Sequence, residues 1–389
     1  MAIRRAMHVA SADWTPRQLA AAVTGYHRRD VVARLETAAG AHLGLEVVAF
    51  GSARAALAAL LIVAPPASRT VVVPAYTCVA VPNALATADC AVRWIDVVGP
   101  NLDLAEAASA ARPGDAVLAQ HTYGIEIPST GLEDLRSRGV LVIEDRAHRF
   151  DGDGIGGDAA LFSMEHSKVV SAGLGGLIWA RDPGVMAALR SFRGKLKPVS
   201  WGVARRVLMT SAAQVGLDAR WIPRGPSSFL RRAAFRFPPT SYPAQSIDEL
   251  AGAGVRILAM HPDLAEVGVR GITHIEANLE HRRTVGAIYR ERLGGLLPDW
   301  ARGDRALVRQ PIVLDDAEAV RLRLRRAAID LGPRWFEAPI HPEGSSSTYV
   351  PGTAPRAERL AASVLSLPTH MRLDALTARR IADAIVAGL

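Results

Sequence analysis

The stretch VLVIEDRAHRFDGDGIGGDAALFSMEHSKVVSAGLGG, residues 140–176, decides the fold. Its apolar runs, Val140–Ile143 and Ala159–Ser163, are short and bounded by polar or glycine residues, so each reads as a buried strand and not as a helix. Asp145 follows the first run, Ser163 closes the second, and Lys168 comes five residues later, before Gly173, Gly175 and Gly176. Working outward, the same rhythm continues. Upstream come strands at Val47–Phe50, Val71–Val73, Ala91–Ile95 and Ala116–Gln120, separated by helical patterns at Ala53–Val63, Val79–Ala88, Leu104–Ala111 and Leu132–Arg138. Gly176–Ala180 completes the series downstream. Strands alternating with helices predict an α/β layer with a mostly parallel sheet between helices.

Either side of this layer the pattern changes. Residues 1–45 read as helical and polar on one face. Residues 186–236 mix basic charge, Pro198, Pro223 and Pro226 with apolar clusters, and are expected to cross the large domain as helical pieces. Beyond Pro238 the pattern predicts helices at Ser246–Ala259, His274–Leu296, Ala317–Leu331 and Leu373–Leu389, with a strand at Leu307–Val313. At 389 residues the chain suits two domains, a large one over 1–236 and a smaller α+β one over 237–389.

Charge is unevenly placed. Between Arg190 and Arg236 eleven basic residues face one acid, Asp218, a local excess larger than the whole chain's +8. That excludes a basic coat suited to nucleic acid and leaves a local anionic contact or a solvated, Arg-rich insertion. Two cysteines, Cys78 and Cys90, with no metal-ligand spacing, and no apolar run in Met1–Thr15 lead us to expect a cytoplasmic protein without a secretory signal. The longest uncharged stretch, from Arg69 to Asp89, holds Pro74, Pro82 and Asn83 and reads as strand, turn and helix, not as a membrane span.

Lysine is the informative residue. Of 46 basic residues only Lys168, Lys195 and Lys197 are lysine. Where charge alone suffices, this chain uses arginine, whose guanidinium stays protonated and does not condense with an aldehyde. Lys195 and Lys197 lie in the basic stretch and read as ordinary charges; Lys168 does not.

In a parallel α/β sheet, ligands bind beyond the carboxyl ends of the strands. There the sequence puts Gly51-Ser52-Ala53, which opens a helix and suits a phosphate, then Pro74-Ala75-Tyr76-Thr77, His121, Asp145, Ser163 and Lys168. Each has an ordinary reading: Ser52 as an N-cap, Asp145 as a loop cap, His148 and His166 as satisfied structural histidines. Together, a phosphate seat, a carboxylate and a lone lysine supply what pyridoxal 5'-phosphate (PLP) requires: an anchor for its phosphate, an anion for its ring nitrogen and an amine for its aldehyde.

The series Gly51-Ser52-Ala53, Pro74 to Thr77, His121-Thr122-Tyr123-Gly124, Ile143-Glu144-Asp145, Gly157-Asp158, Phe162-Ser163 through Lys168, and Gly173 to Gly176 resembles the DegT/StrS-type aminotransferases, as do Pro355–Leu360 and Leu365–His370 near the end. The resemblance implies a fold type I PLP-transferase working as a homodimer on a small-molecule substrate. It would move an amino group from an amino acid such as glutamate to a keto acceptor, for example a nucleotide-linked ketosugar or an intermediate of secondary metabolism. It makes Lys168 the amine that condenses with the cofactor and shuttles its proton. Asp145 becomes the partner of the ring nitrogen, and Ser52, the Ala53 N–H and Ser163 become the phosphate ligands. His148 falls where the family usually has Gln, on the ring-oxygen side. There are departures. Cys78 stands where a ring-stacking aromatic is usual, Val169 replaces a common Asn, and Leu174 replaces a frequent Glu. Arg236–Tyr242 stands in place of the Asn-Tyr-Arg segment that reaches across the dimer to the phosphate. Three other readings remain: a different PLP reaction (elimination, cyclisation or dehydration), a non-catalytic PLP-fold binding protein, and an enzyme contacting a membrane surface through 190–236. The family's dehydratases carry His in place of the lysine, so Lys168 argues against that branch.

Overall fold

The computed structural model describes residues 5–6, 12–25, 29–218, 254–327, 329–345 and 347–388. The apolar runs pair into one seven-stranded sheet. Its strands are β1 (Val48–Phe50), β2 (Thr70–Pro74), β3 (Ala91–Ile95), β4 (Ala116–Gln120), β5 (Leu141–Asp145), β6 (Ala159–Ser163) and β7 (Gly176–Ala180). Their order is β1-β7-β6-β5-β4-β2-β3. β2 to β6 pair in parallel, while β7 runs antiparallel to both β6 and β1. Every residue of β4 and β6 is buried, which is why these strands read as continuous apolar runs and not as alternating ones.

Both faces of the sheet are covered. Val71, Val73, Leu118, Ile143 and Leu161 pack beneath the helices Ala53–Val63 and Ala80–Thr87, whereas Val72, Val117 and Val142 meet the helices Leu104–Ala110 and Ser129–Ser137. Phe162, Ala160 and Leu177 share a third cluster with residues of the helices Pro16–Thr24, Val31–Leu43, Trp201–Asp218 and Pro262–Ile272. The later chain adds a small antiparallel pair, Arg309–Val313 with Val364–Pro368, whose Ile312, Leu365 and Leu367 pack with Val285, Tyr289, Leu324 and Ile381 of three helices. The α/β fold with a mostly parallel sheet is as expected.

One predicted helix is not seen over the part of it that is described. Of Ser246–Ala259, residues 246–253 lie outside the described residues, and 254–259 are not helical. Instead, Leu258 accepts a hydrogen bond from Gly51 N–H at 2.8 Å, and Ala259 exchanges bonds with Lys197 and Val199. This extended strip laces the rim of the sheet, a long-range pairing that overrides local helical preference. The basic stretch is helical over Pro183–Gly194 and Trp201–Asp218. Arg220, Arg224, Arg231, Arg232 and the segment Arg236–Tyr242 lie outside the described residues. Among the described residues no helix is long and apolar enough to cross a membrane.

Candidate active site

Register builds the site. Ser163 at the end of β6 pairs with Gly176, which pairs in turn with Phe50, the last residue before the Gly51-Ser52 turn. One row across the sheet edge therefore carries Ser163, the glycine turn and the N-terminus of the helix Ala53–Val63. Gly176 permits that convergence, because a Cβ there would stand 2.2 Å from the Ala53 nitrogen. Ser52 caps the helix, accepting the Ala55 N–H at 3.2 Å. Two hydroxyls and a helix N-terminus thus line the same cleft, groups whose chemistry suits an anion.

Asp145 ends β5 in register with Leu161 of β6 and Gln120 of β4. One of its oxygens accepts the Ala147 N–H at 2.9 Å. Burial raises its carboxyl above the ordinary range, while that bond and the charge of Lys168 pull the other way. Lys168 is 8% exposed. Burial lowers its ammonium, which Glu165 and, more weakly, Cys78 and Asp145 oppose. Its Nζ lies 5.6 Å from the centroid of the Trp335 ring. A desolvated lysine of this kind gives up its proton more readily than one in water.

His148 follows in the loop after β5. The Tyr123 backbone N–H donates to its Nδ1 at 3.1 Å, and burial holds the imidazole well below its usual titration range. The hydrogen bond assigns the remaining ring proton to Nε2. Cys78 lies on a two-residue strand, Thr77–Cys78, that pairs in parallel with Ile340–His341. Burial pushes its thiol up.

All seven residues singled out from the sequence, Ser52, Ala53, Cys78, Asp145, His148, Ser163 and Lys168, line one cleft of about 770 Å³, mouth included. His121 is not among them. It lies behind the strand ends, with Nε2 2.9 Å from Glu144 in a fully buried ion-pair network. The cleft also contains Arg54, Gln120, Glu165, Leu174, Trp335 and Phe336, none proposed as a ligand from the sequence. Arg54 and Glu165 each stand within three residues of a residue that was. The aromatic pair Trp335-Phe336 comes from the turn-rich run 332–345, brought over the cleft by the pairing of Ile340 with Thr77. Two adjacent aromatics in a chain only 5% aromatic were the available signal. Trp335 packs against His148 with ring centroids 4.6 Å apart, and the Arg309 guanidinium stacks on it at 3.4 Å.

A doubly covered parallel sheet with one reversed strand, and an amine, a carboxylate and an anion seat at its carboxyl edge, together define a fold type I transferase. Residues 20–205 and 239–386 match the profile of the DegT/DnrJ/EryC1/StrS aminotransferase family, and the chain belongs to that family. Solved structures agree on the fold. A DegT/DnrJ/EryC1/StrS aminotransferase from Brucella abortus superposes with a TM-score of 0.69 at 20% identity, covering 95% of each chain. Sugar aminotransferase CalS13 from Micromonospora echinospora gives 0.71 at 20% identity, covering 98% of this chain and 100% of that one. Over 133 residues the chain is 32% identical to a Streptomyces kanamyceticus protein provisionally named L-glutamine:3-amino-2,3-dideoxy-scyllo-inosose aminotransferase. That match spans 31% of either chain, about a third of the relative's length.

Proposed function

We propose that the chain uses PLP to carry an amino group from an amino acid donor, glutamate or its amide glutamine, to a keto carbon on a polyhydroxylated ring. The observation behind this reading is the meeting of Lys168, Asp145, Ser52 and Ser163 in one cleft. Their chemistry matches the group's three needs. Relatives of the fold have been solved in PLP and PMP forms, among them a provisionally named sugar aminotransferase of Streptococcus pneumoniae. The bound cofactor supplies an electron sink and stores the amino group between two half-reactions.

The chain's own residues do the rest. Ser52, Ser163 and the Ala53 N–H hold the phosphate, with the helix dipole behind them. Asp145 would pair with the ring nitrogen and favour its protonated form. Lys168 would hold the cofactor, and its amine would take the donor's α-proton and return it, a role suited to a buried lysine. The neutral His148 offers its Nε2–H. Trp335 and Phe336 give an apolar wall for the C–H face of a sugar or cyclitol ring. The Micromonospora neighbour is named for sugars and the Streptomyces relative for an inosose, so ketosugar and ketocyclitol are the acceptor classes to test first.

The purified protein is expected to be yellow, and adding the correct donor without acceptor should bleach the visible band. A colourless chain that ignores added PLP would end this reading. Tight PLP binding with no response to any amino donor would point to elimination or cyclisation instead.

A further inference from the structure

Residues 166–172, which carry Lys168, belong to neither a helix nor a strand. A bridge between Glu165 and Gly173 closes this turn at its base. Inside it the Lys168 N–H donates to the Glu165 carbonyl at 3.0 Å, and the Ala172 N–H to the Met164 carbonyl at 2.8 Å. The far side is held from outside, by side chains distant in sequence. Trp14 Nε1 donates to the Ser171 hydroxyl at 3.1 Å, and Gln18 Nε2 to the Ser171 carbonyl at 3.0 Å. Asn278 Nδ2 donates to the Val169 carbonyl at 3.0 Å, one residue beyond Lys168. Asn278 is itself oriented. Arg282, one helical turn on, donates from Nε to its Oδ1 at 2.7 Å. A guanidinium carries donors only, so the amide nitrogen is the atom left to face Val169. Arg282 also donates to the Val308 carbonyl and the Thr369 hydroxyl, each at 2.9 Å, and to the Asp13 carboxylate. Asp13 in turn accepts the Met371 N–H at 2.8 Å. Asp13, Asn278 and Arg282 are all buried.

We infer that Asn278 is a positioning residue for Lys168: it clamps the turn that carries the lysine, and Arg282 and Asp13 hold the clamp. The helix Ile275–Leu293 suits this task because it serves two cores. Ile275 packs with Phe162 and Leu177 of the large sheet, whereas Val285 and Tyr289 pack with the small antiparallel pair. Its first turns therefore tie the lysine turn to the later part of the chain. A reacting group must be held to within about 0.5 Å by such supporting bonds. The inference rests on the proposed function for what Lys168 does, but the clamp itself can be tested without it. Removing Asp13 or Arg282 would strand a buried charge and damage the fold, so the neutral Asn278 is the member to change.

Asn278→Leu fills a similar space without the donor. In the full-length protein, amide hydrogen exchange read by mass spectrometry should speed up in peptides covering 164–175 by roughly two- to tenfold, the usual worth of one hydrogen bond. Peptides covering β4 and β5 should keep their wild-type rates. In the PLP-loaded protein, the rate at which saturating donor bleaches the visible band should fall roughly tenfold, because small misplacements of a reacting group can cost up to about 10²-fold. The donor concentration giving half that rate should hardly change, since binding is untouched. Circular dichroism checks the fold; should the Leu form fail, Asn278→Ala carries the same expectations. A merely structural Asn278 would speed exchange equally across the chain, or leave the bleaching rate at the wild-type value. Either result would overturn the inference. Should wild-type protein bind no PLP or answer no donor, the proposed function falls, and the exchange comparison alone still decides whether Asn278 clamps the lysine turn.

Discussion

Glu144 and Asp145 are consecutive carboxylates on one strand, and they meet opposite environments. Side chains alternate across a sheet, so neighbours in sequence serve different faces. Glu144 is wholly buried and saturated: His121 Nε2 lies 2.9 Å away, Arg146 Nε donates at 3.0 Å and the Gly157 N–H at 2.8 Å. Burial alone would raise its carboxyl, but these partners bring it down to about 2. Arg146 is tied further, to Asp151 and to the Asp153 carbonyl. Asp145 accepts the Ala147 N–H, lines the cleft and is pushed up by burial. A carboxylate already satisfied by protein belongs to the frame. One kept at a cost in a cleft is a candidate for the chemistry, the role proposed for Asp145.

Breaking the cleft side of this pairing should have the largest effect. Lys168→Ala should lower turnover by about 10³-fold or more, since the general base is removed along with the covalent hold on the cofactor. Steady-state kinetics with a responsive donor would measure it, with circular dichroism unchanged. Asp145→Asn comes next. Losing one preorganised charge should slow the reaction by roughly 10²–10³-fold, while the fold stays intact because the amide fits the same space. A variant that kept wild-type turnover would remove Asp145 from the mechanism.

On the frame side the expectation reverses. Glu144→Gln leaves Arg146 with a weakened buried partner and should cost about 3 kcal/mol in urea unfolding, yet leave the cofactor's visible band in place. A lost band with an unchanged midpoint would merge the two regions. Acid should separate them too. The Glu144 carboxyl is depressed in the folded chain, so its contribution is complete above the ordinary value of 4.5 and is lost as pH falls towards 2. Asp145 has the other sign: its carboxyl is raised, so its contribution is complete below 3.8 and fades as pH climbs. Unfolding free energy between pH 5 and pH 2 should therefore fall less steeply in Glu144→Gln than in the wild type, and no less steeply in Asp145→Asn. The smallest effect is expected at the wall. Trp335→Phe keeps an aromatic but sheds area, and should raise the acceptor KM a few-fold, about 1 kcal/mol, with the donor half-reaction unaffected.

The sheet was legible because its interior strands are buried on both faces and bounded by turn residues. The residues at the strand ends followed from that reading, and all seven candidates meet in one cleft. Long-range features escaped it. The strip 254–259 is extended only because distant Gly51, Lys197 and Val199 bond to it. The helix Pro262–Ile272 was not among the predicted helices; it contains Gly268 and Gly271, and at Gly268 the absent side chain leaves room for the Met164 tip, to which a Cβ would come within 2.7 Å. Trp335 and Phe336 reach the cleft through the pairing of Ile340 with Thr77, a contact across more than 250 residues that no local pattern encodes.

Borohydride reduction of the PLP-loaded protein, followed by digestion and mass spectrometry, tests the central claim directly, because only three lysines can carry the adduct. The account requires the reduced cofactor on Lys168, with Lys195 and Lys197 unmodified. An adduct on either of those two, or a bound cofactor that washes away after reduction, would contradict it.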